Sequence, residues 1–159
     1  MLLNSKIEPF VGVGDIKLYM TVEEVKSIIK QAKAKFSMEV WSNKGCTPDD
    51  PWIIIRVENS LHMFFVRNRL FKIYMENDFV GKLDNGICIK MPMEKVLEID
   101  TTLEFDDWEE DYQSKNGYWI EDNLDDKTVL TISIFIPEIL DDGVFDSYEW
   151  VEKLNKNEE

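Results

Sequence analysis

The sequence predicts an α+β fold made of two related units, each a helix followed by an antiparallel β-meander, with a C-terminal helix. Three observations predict it. The first is an internal repeat, sought before any single element. Ile16-Lys17-Leu18-Tyr19-Met20-Thr21-Val22-Glu23-Glu24-Val25 recurs, at an offset of 71 residues, as Ile87-Cys88-Ile89-Lys90-Met91-Pro92-Met93-Glu94-Lys95-Val96. The second is an apolar stripe at helical spacing just after the first copy. The third is a set of short β-branched runs separated by turn residues after each copy.

In the first unit Asp15–Leu18 reads as a short extended piece, and a helix starts near Val22. Thr21 is its N-cap, and Glu24 completes a Thr-x-x-Glu capping box worth about 1 kcal/mol. Val22, Val25, Ile28, Ile29, Ala32 and Phe36 form the buried stripe. Lys26, Lys30, Lys33 and Lys35 fall mostly off it and read as a solvated face. Trp52–Val57, Leu61–Val66 and Leu70–Met75 follow as three strands. Glu58-Asn59-Ser60 and Arg67-Asn68-Arg69 turn the chain between them.

In the second unit Pro92 replaces Thr21 at the helix start, where proline is tolerated. A short helix runs from about Met93 to Ile99. A strand is expected around Trp108–Gln113, then a turn at Ser114-Lys115-Asn116-Gly117 with an Asn-Gly signal. Tyr118–Glu121 and Thr128–Ile136 are the next strands, the second ended by Pro137. Alternation places Tyr118 and Ile120 on one face, and Trp119 and Glu121 on the other. A final helix is expected from about Ser147. The organisation expected is one domain over 1–159, with units at 13–78 and 84–137 and a C-terminal segment at 138–159. Whether the units share one sheet or pack side by side stays open.

Charge is unevenly spread. The chain carries a net charge of −14. Residues 1–79 hold 11 Lys/Arg against 10 Asp/Glu, and residues 80–159 hold 7 against 22. Such a half repels nucleic acid and anionic lipid and steers basic partners in. Nucleic-acid and membrane binding are therefore not expected. Two distant cysteines, Cys46 and Cys88, suggest no disulfide framework and fit a reducing compartment. Cys88 reads as a small core residue. No apolar run is long enough to span a membrane, and the N-terminus does not read as a signal peptide. A cytoplasmic location is expected.

The sequence points to no chemical reaction. His62, the one histidine, sits in an apolar strand and reads as an outward strand residue or a satisfied core histidine. Gly-rich phosphate loops and a Gly-x-Ser-x-Gly elbow are absent. Asp106-Asp107, Asp125-Asp126 and Asp141-Asp142 lack the spacing of a calcium loop. No cofactor and no metal are expected. The informative stretch is Glu104–Asp126, in which ten of 23 residues are acidic and Trp108, Tyr112, Tyr118 and Trp119 are interleaved. Aromatic anchors ringed by charge are the pattern of a protein interface. The candidate partner-binding residues are Asp106, Asp107, Trp108, Glu109, Glu110, Asp111, Tyr112, Trp119, Glu121 and Asp122.

The repeated Ile-x-Leu-x-Met-Thr-x-Glu-Glu-Val unit resembles the tandem modules of the β-lactamase-inhibitor-protein-like group, over roughly Ile16–Tyr74 and Ile87–Ile136. Small outer-membrane lipoproteins of barrel assembly share that module. This chain shows neither the lipoprotein signal nor the disulfides of such relatives, which favours a cytoplasmic role over an envelope one. The whole chain also resembles the small acidic immunity proteins that accompany bacterial toxins, including those of contact-dependent growth inhibition. That resemblance implies a non-enzymatic inhibitor that covers the active site of a cognate, basic toxin domain. A nuclease is the natural target, because its cleft is basic to hold phosphates. No individual site residue carries over from the resemblance. The alternatives are a general interaction or assembly module and a carboxylate- or metal-dependent enzyme.

Overall fold

The computed structural model describes residues 2–158. It is an α+β structure dominated by one large antiparallel sheet. A small sheet at the start comprises β1 (Ile7–Glu8), β2 (Gly12–Val13) and β3 (Ile16–Lys17). Helix α1 (Val22–Gln31) leads into β4 (Phe36–Trp41), β5 (Trp52–Val57), β6 (Leu61–Val66) and β7 (Arg69–Met75). Helix α2 (Met93–Ile99) leads into β8 (Glu104–Asp106), β9 (Asp111–Gln113), β10 (Tyr118–Asp122) and β11 (Val129–Phe135). The eight strands from β4 onward form one sheet in the order β4-β5-β6-β7-β11-β10-β9-β8. Two four-stranded meanders thus meet along β7 and β11, where Ile73 faces Ile134 and Met75 faces Ile132.

The Thr21 capping box forms as the sequence suggests. The Thr21 hydroxyl accepts from the Glu24 N–H, and the Glu24 carboxylate accepts from the Thr21 N–H. The α1 stripe is shorter than expected. The helix ends at Gln31 with Ala32 as its cap. Lys33 then adopts φ 56°, the left-handed conformation that closes many helices. Phe36 therefore opens β4, a strand the sequence reading lacked. The strand expected around Trp108–Gln113 is also corrected. Asp106 Oδ1 accepts from the N–H groups of both Trp108 and Glu109, an Asp turn that competes with strand pairing. The result is two short strands, β8 and β9, joined by Asp107–Glu110. At the C-terminus α3 (Asp142–Ser147) and α4 (Glu149–Asn157) replace a single helix. Tyr148, at φ 55°, separates them.

One face of the sheet is apolar along its whole middle. Ile55, Met63, Ile73, Ile134 and Ile120 project there by strand alternation, and all are fully buried. Burial of each such side chain contributes about 1.5–3 kcal/mol. The buried stripes of α1 (Val22, Val25, Ile29) and α2 (Met93, Val96) belong to the same core. Two matching backbone tethers fix the helix starts. Tyr19 N–H donates to the Leu70 carbonyl and Leu70 N–H to the Met20 carbonyl, at 2.7 and 2.9 Å. Lys90 N–H donates to the Val129 carbonyl and Val129 N–H to the Met91 carbonyl, both at 2.9 Å. Tyr19 and Lys90 take nearly the same left-handed backbone, φ 74° and 72°.

Buried polar groups on this side are satisfied, as the cost of leaving them bare requires. Asp100, just past α2, accepts from the Tyr118 hydroxyl, from Ser114 and Asn116, and from both the N–H and hydroxyl of Thr102. Burial alone would raise its pKa. The hydrogen bonds from Ser114, Tyr118 and Thr102 outweigh burial and hold it well below the usual carboxylate range. Asp100 thereby locks the end of α2 onto β10. Arg69 at the start of β7 does the same for α4, donating to Asn155 and to both oxygens of Glu158.

Candidate functional site

The opposite face of the sheet has a different chemistry. At one end the C-terminal segment covers it: Phe145 of α3 packs on Phe71, which packs on Trp52. Away from that end the face is only partly open: buried Ile54, His62, Ser133 and Phe135 alternate with half-buried neighbours, and alternation sets the side chains in rows across the strands. Ile54, Phe64, Lys72 and Phe135 make the first row. Arg56, His62, Tyr74, Ser133, Trp119 and Gln113 make the second. Beyond them Thr131 pairs with Glu121, and Asp111 with Asp106. Arg56, Lys72, Tyr74, Trp119 and Gln113 are all only partly buried.

Charge changes sign across this face. On the β5–β7 side Arg56 donates to His62 Nδ1 at 2.8 Å and approaches Glu39 at 3.4 Å. His62 is buried and stacks on Tyr74 with ring centres 4.3 Å apart. Its Nε2 lies 2.7 Å from a Glu76 oxygen, close in distance but poorly aligned for a hydrogen bond. Burial, then the Arg56 charge, holds the imidazole below its ordinary pKa against the opposing pull of Glu76. Lys72 stands between the Phe64 and Trp119 rings, 6.0 and 5.6 Å from their centres. Among the described residues no carboxylate lies within ion-pairing distance of it. Burial lowers its pKa, and the more distant Glu121 and Asp111 only partly offset that.

On the β8–β10 side the carboxylates crowd. Asp111 is 8% exposed and receives one hydrogen bond, from Gln113 at 3.1 Å. Burial raises its pKa, and repulsion from Glu109 and Glu121 adds to the rise. Glu121 is exposed and accepts from Thr131. A cleft of about 340 Å³ opens beside Trp119, with Phe10 and Phe135 on its apolar side and Glu104, Asp106 and Lys115 at its edge.

The expected site residues fall in four places. Asp106, Asp111, Trp119 and Glu121 share the open face. Asp107, Trp108, Glu109 and Glu110 form the β8–β9 turn at its rim, with Trp108 91% exposed. Tyr112 projects to the other face against Phe105, so it does not join them. Asp122 sits at an irregularity where the β10–β11 register shifts. Sequence reasoning missed Arg56, Lys72, Tyr74 and Gln113. A charged residue inside the apolar run Leu70-Phe71-Lys72-Ile73 was the available signal. Cys88 is partly buried instead of a core residue.

Comparison with known proteins finds no family model, no curated protein and no solved structure that matches the chain. Among the described residues no helix is long and apolar enough to cross a membrane. None of the described His, Cys, Asp and Glu side chains form a group of three or more that could hold a metal ion.

Proposed function

We propose that the chain is a cytoplasmic, non-enzymatic immunity protein that binds and neutralises a basic toxin domain, a nuclease above all. The open sheet face and its acidic rim would cover the toxin's active site. The observation that carries this reading is the buried Asp111, crowded by Glu109 and Glu121, on the same surface as the half-buried Trp119 and beside the exposed Trp108. Trp108 would serve as the rim anchor and Trp119 as the floor. Charge would act mainly on encounter rate and specificity, because exposed ion pairs are worth only about 0–1 kcal/mol each. The desolvated Asp111 has more to gain from a partner's guanidinium than a solvated carboxylate would.

The two halves are further proposed to be related helix–meander units. The matching left-handed Tyr19 and Lys90 support this, as do Met20 and Met91, which accept the equivalent tethers, because both pairs fall at the sequence offset of 71; their strand partners Leu70 and Val129 do not. On this reading each unit contributes half of one binding surface.

Association kinetics test the function. The toxin domain's association rate should fall steeply with added salt while its dissociation rate changes little. An association rate insensitive to salt would remove the electrostatic basis of the proposal.

A further inference from the structure

We propose that β4 is a self-association edge, and that the partner it fits is a second copy of this chain, paired antiparallel across a two-fold axis at Met38. The proposal goes beyond the immunity reading and does not depend on it. Strand β4 ends the eight-stranded sheet, and among the described residues no strand pairs with its outer side. An outer edge of this kind is a row of unpaired N–H and C=O groups, which proteins normally blunt with proline, lysine, a bulge or shortness. Strand β4 has none of these. Its sequence, Phe36-Ser37-Met38-Glu39-Val40-Trp41, pairs with β5 without a register shift along its whole length. The other edge strand, β8, has three residues and is followed by the acidic turn Asp107–Glu110. Two copies of that edge would repel one another.

The side chains of β4 are self-complementary in a register centred on Met38. Met38 and Val40 are 44% and 63% exposed and share a face with Phe36. Centring the two-fold on Met38 sets Met38 opposite its own copy and Phe36 opposite Val40 of the second chain. It also sets Ser37 opposite Glu39, and Lys35 opposite Trp41. The pairing of Phe36 with Val40, aromatic against β-branched, is a favourable cross-strand pair made twice by the two-fold, and no like charges meet in this register. Shifting the axis to Glu39 would set two carboxylates face to face. Shifting it to Val40 would shorten the paired segment and push Met38 past the strand end. Glu39 also brings little unbalanced charge, because Arg56 approaches it at 3.4 Å and Trp41 Nε1 donates to it. Pairing at β4 leaves the acidic rim, at the opposite end of the sheet, free for a different partner.

Sedimentation velocity on the full chain, from micromolar to submillimolar concentration, should show a reversible monomer–dimer equilibrium that stops at the dimer. Met38→Lys should weaken it by at least ~10-fold, since two ammonium groups then face each other, while the melt at concentrations where both chains are monomeric stays unchanged. In a Cys46→Ser, Cys88→Ser background, Met38→Cys should oxidise to a covalent dimer, because directly opposed strand residues meet the distance a disulfide needs. Val40→Cys in the same background should not. A chain that stays monomeric throughout, mass that grows past the dimer, or cross-linking at Val40 in place of Met38 would overturn the proposal.

Discussion

The Lys72 ammonium lies 5.6 Å from the centre of the Trp119 ring, across the seam where the two meanders join. Lys72 comes from β7 and Trp119 from β10, so the contact bridges both halves on the open face. A desolvated lysine without an ion pair is an energetic liability that the ring faces only partly offset.

Lys72→Met keeps the stem and removes the charge. Its stability at neutral pH should equal or exceed wild type, within about 1 kcal/mol. The folded pKa of Lys72 is depressed, so the unfolded chain binds its proton more tightly. Its contribution to stability therefore rises as pH climbs from the folded value toward the unfolded value of about 10.4. Urea titrations of wild type and variant should converge over that window. A variant that melts well below wild type at neutral pH would show that Lys72 is structurally required.

Asp100 supports the other face. Asp100→Ala leaves the Tyr118, Ser114 and Thr102 donors without their shared acceptor and should cost about 3 kcal/mol. The folded pKa of Asp100 is depressed. Its ionised form thus stabilises the fold fully above the unfolded value of about 3.9, and that contribution fades as pH falls toward the folded value. The gap between wild type and Asp100→Asn should hold from pH 7 down to that unfolded value and narrow below it. A gap that narrows already between pH 7 and pH 5 would contradict the assignment.

His62 gives a second pH signature at a higher window. Its folded pKa is depressed, so the unfolded chain takes up the proton first. Stability should fall as pH drops below the unfolded value of about 6.5. His62→Phe should flatten that slope while keeping the stack on Tyr74. An unchanged slope between pH 6.5 and pH 5 would assign the acid sensitivity to another group.

The rim separates binding from folding. Trp108→Ala and Glu109→Lys alter exposed side chains and should shift stability by no more than about 0.5 kcal/mol. Both should slow or weaken association with a basic partner. Asp111→Lys is different, since Asp111 is buried, and it should lower the melting temperature as well. Calorimetric melts beside surface-based kinetics distinguish the two classes. Equal destabilisation by all three would contradict the placement of the turn.

Much of the fold is legible in the sequence because it is written in local chemistry. The Thr21–Glu24 capping box, the β-branched run Trp52–Val57 and the alternation of Tyr118 with Trp119 each act over a few residues. What escapes reading is set by competition or by distance. Strand β4 is hidden because Phe36 also fits the helical stripe, and the left-handed Lys33 decides between them. The Trp108 turn is hidden because Asp106 offers the backbone a side-chain acceptor in place of a strand partner. The open face is less legible still. The acidic run Glu104–Asp126 marks its rim, but Arg56, His62 and Lys72 reach it through pairings between strands that no local pattern reports.

The measurement that tests the account most directly is growth of cells expressing the C-terminal domain of the protein encoded by the neighbouring gene, with and without this chain. Wild type should restore growth and co-purify with that domain. A Trp108→Ala, Glu109→Lys variant should accumulate as folded protein, with an unchanged melt, and fail to restore growth. Cells that stay inhibited in the presence of the wild-type chain, or that recover equally well with the variant, would contradict the claim that this acidic, aromatic face neutralises a basic toxin.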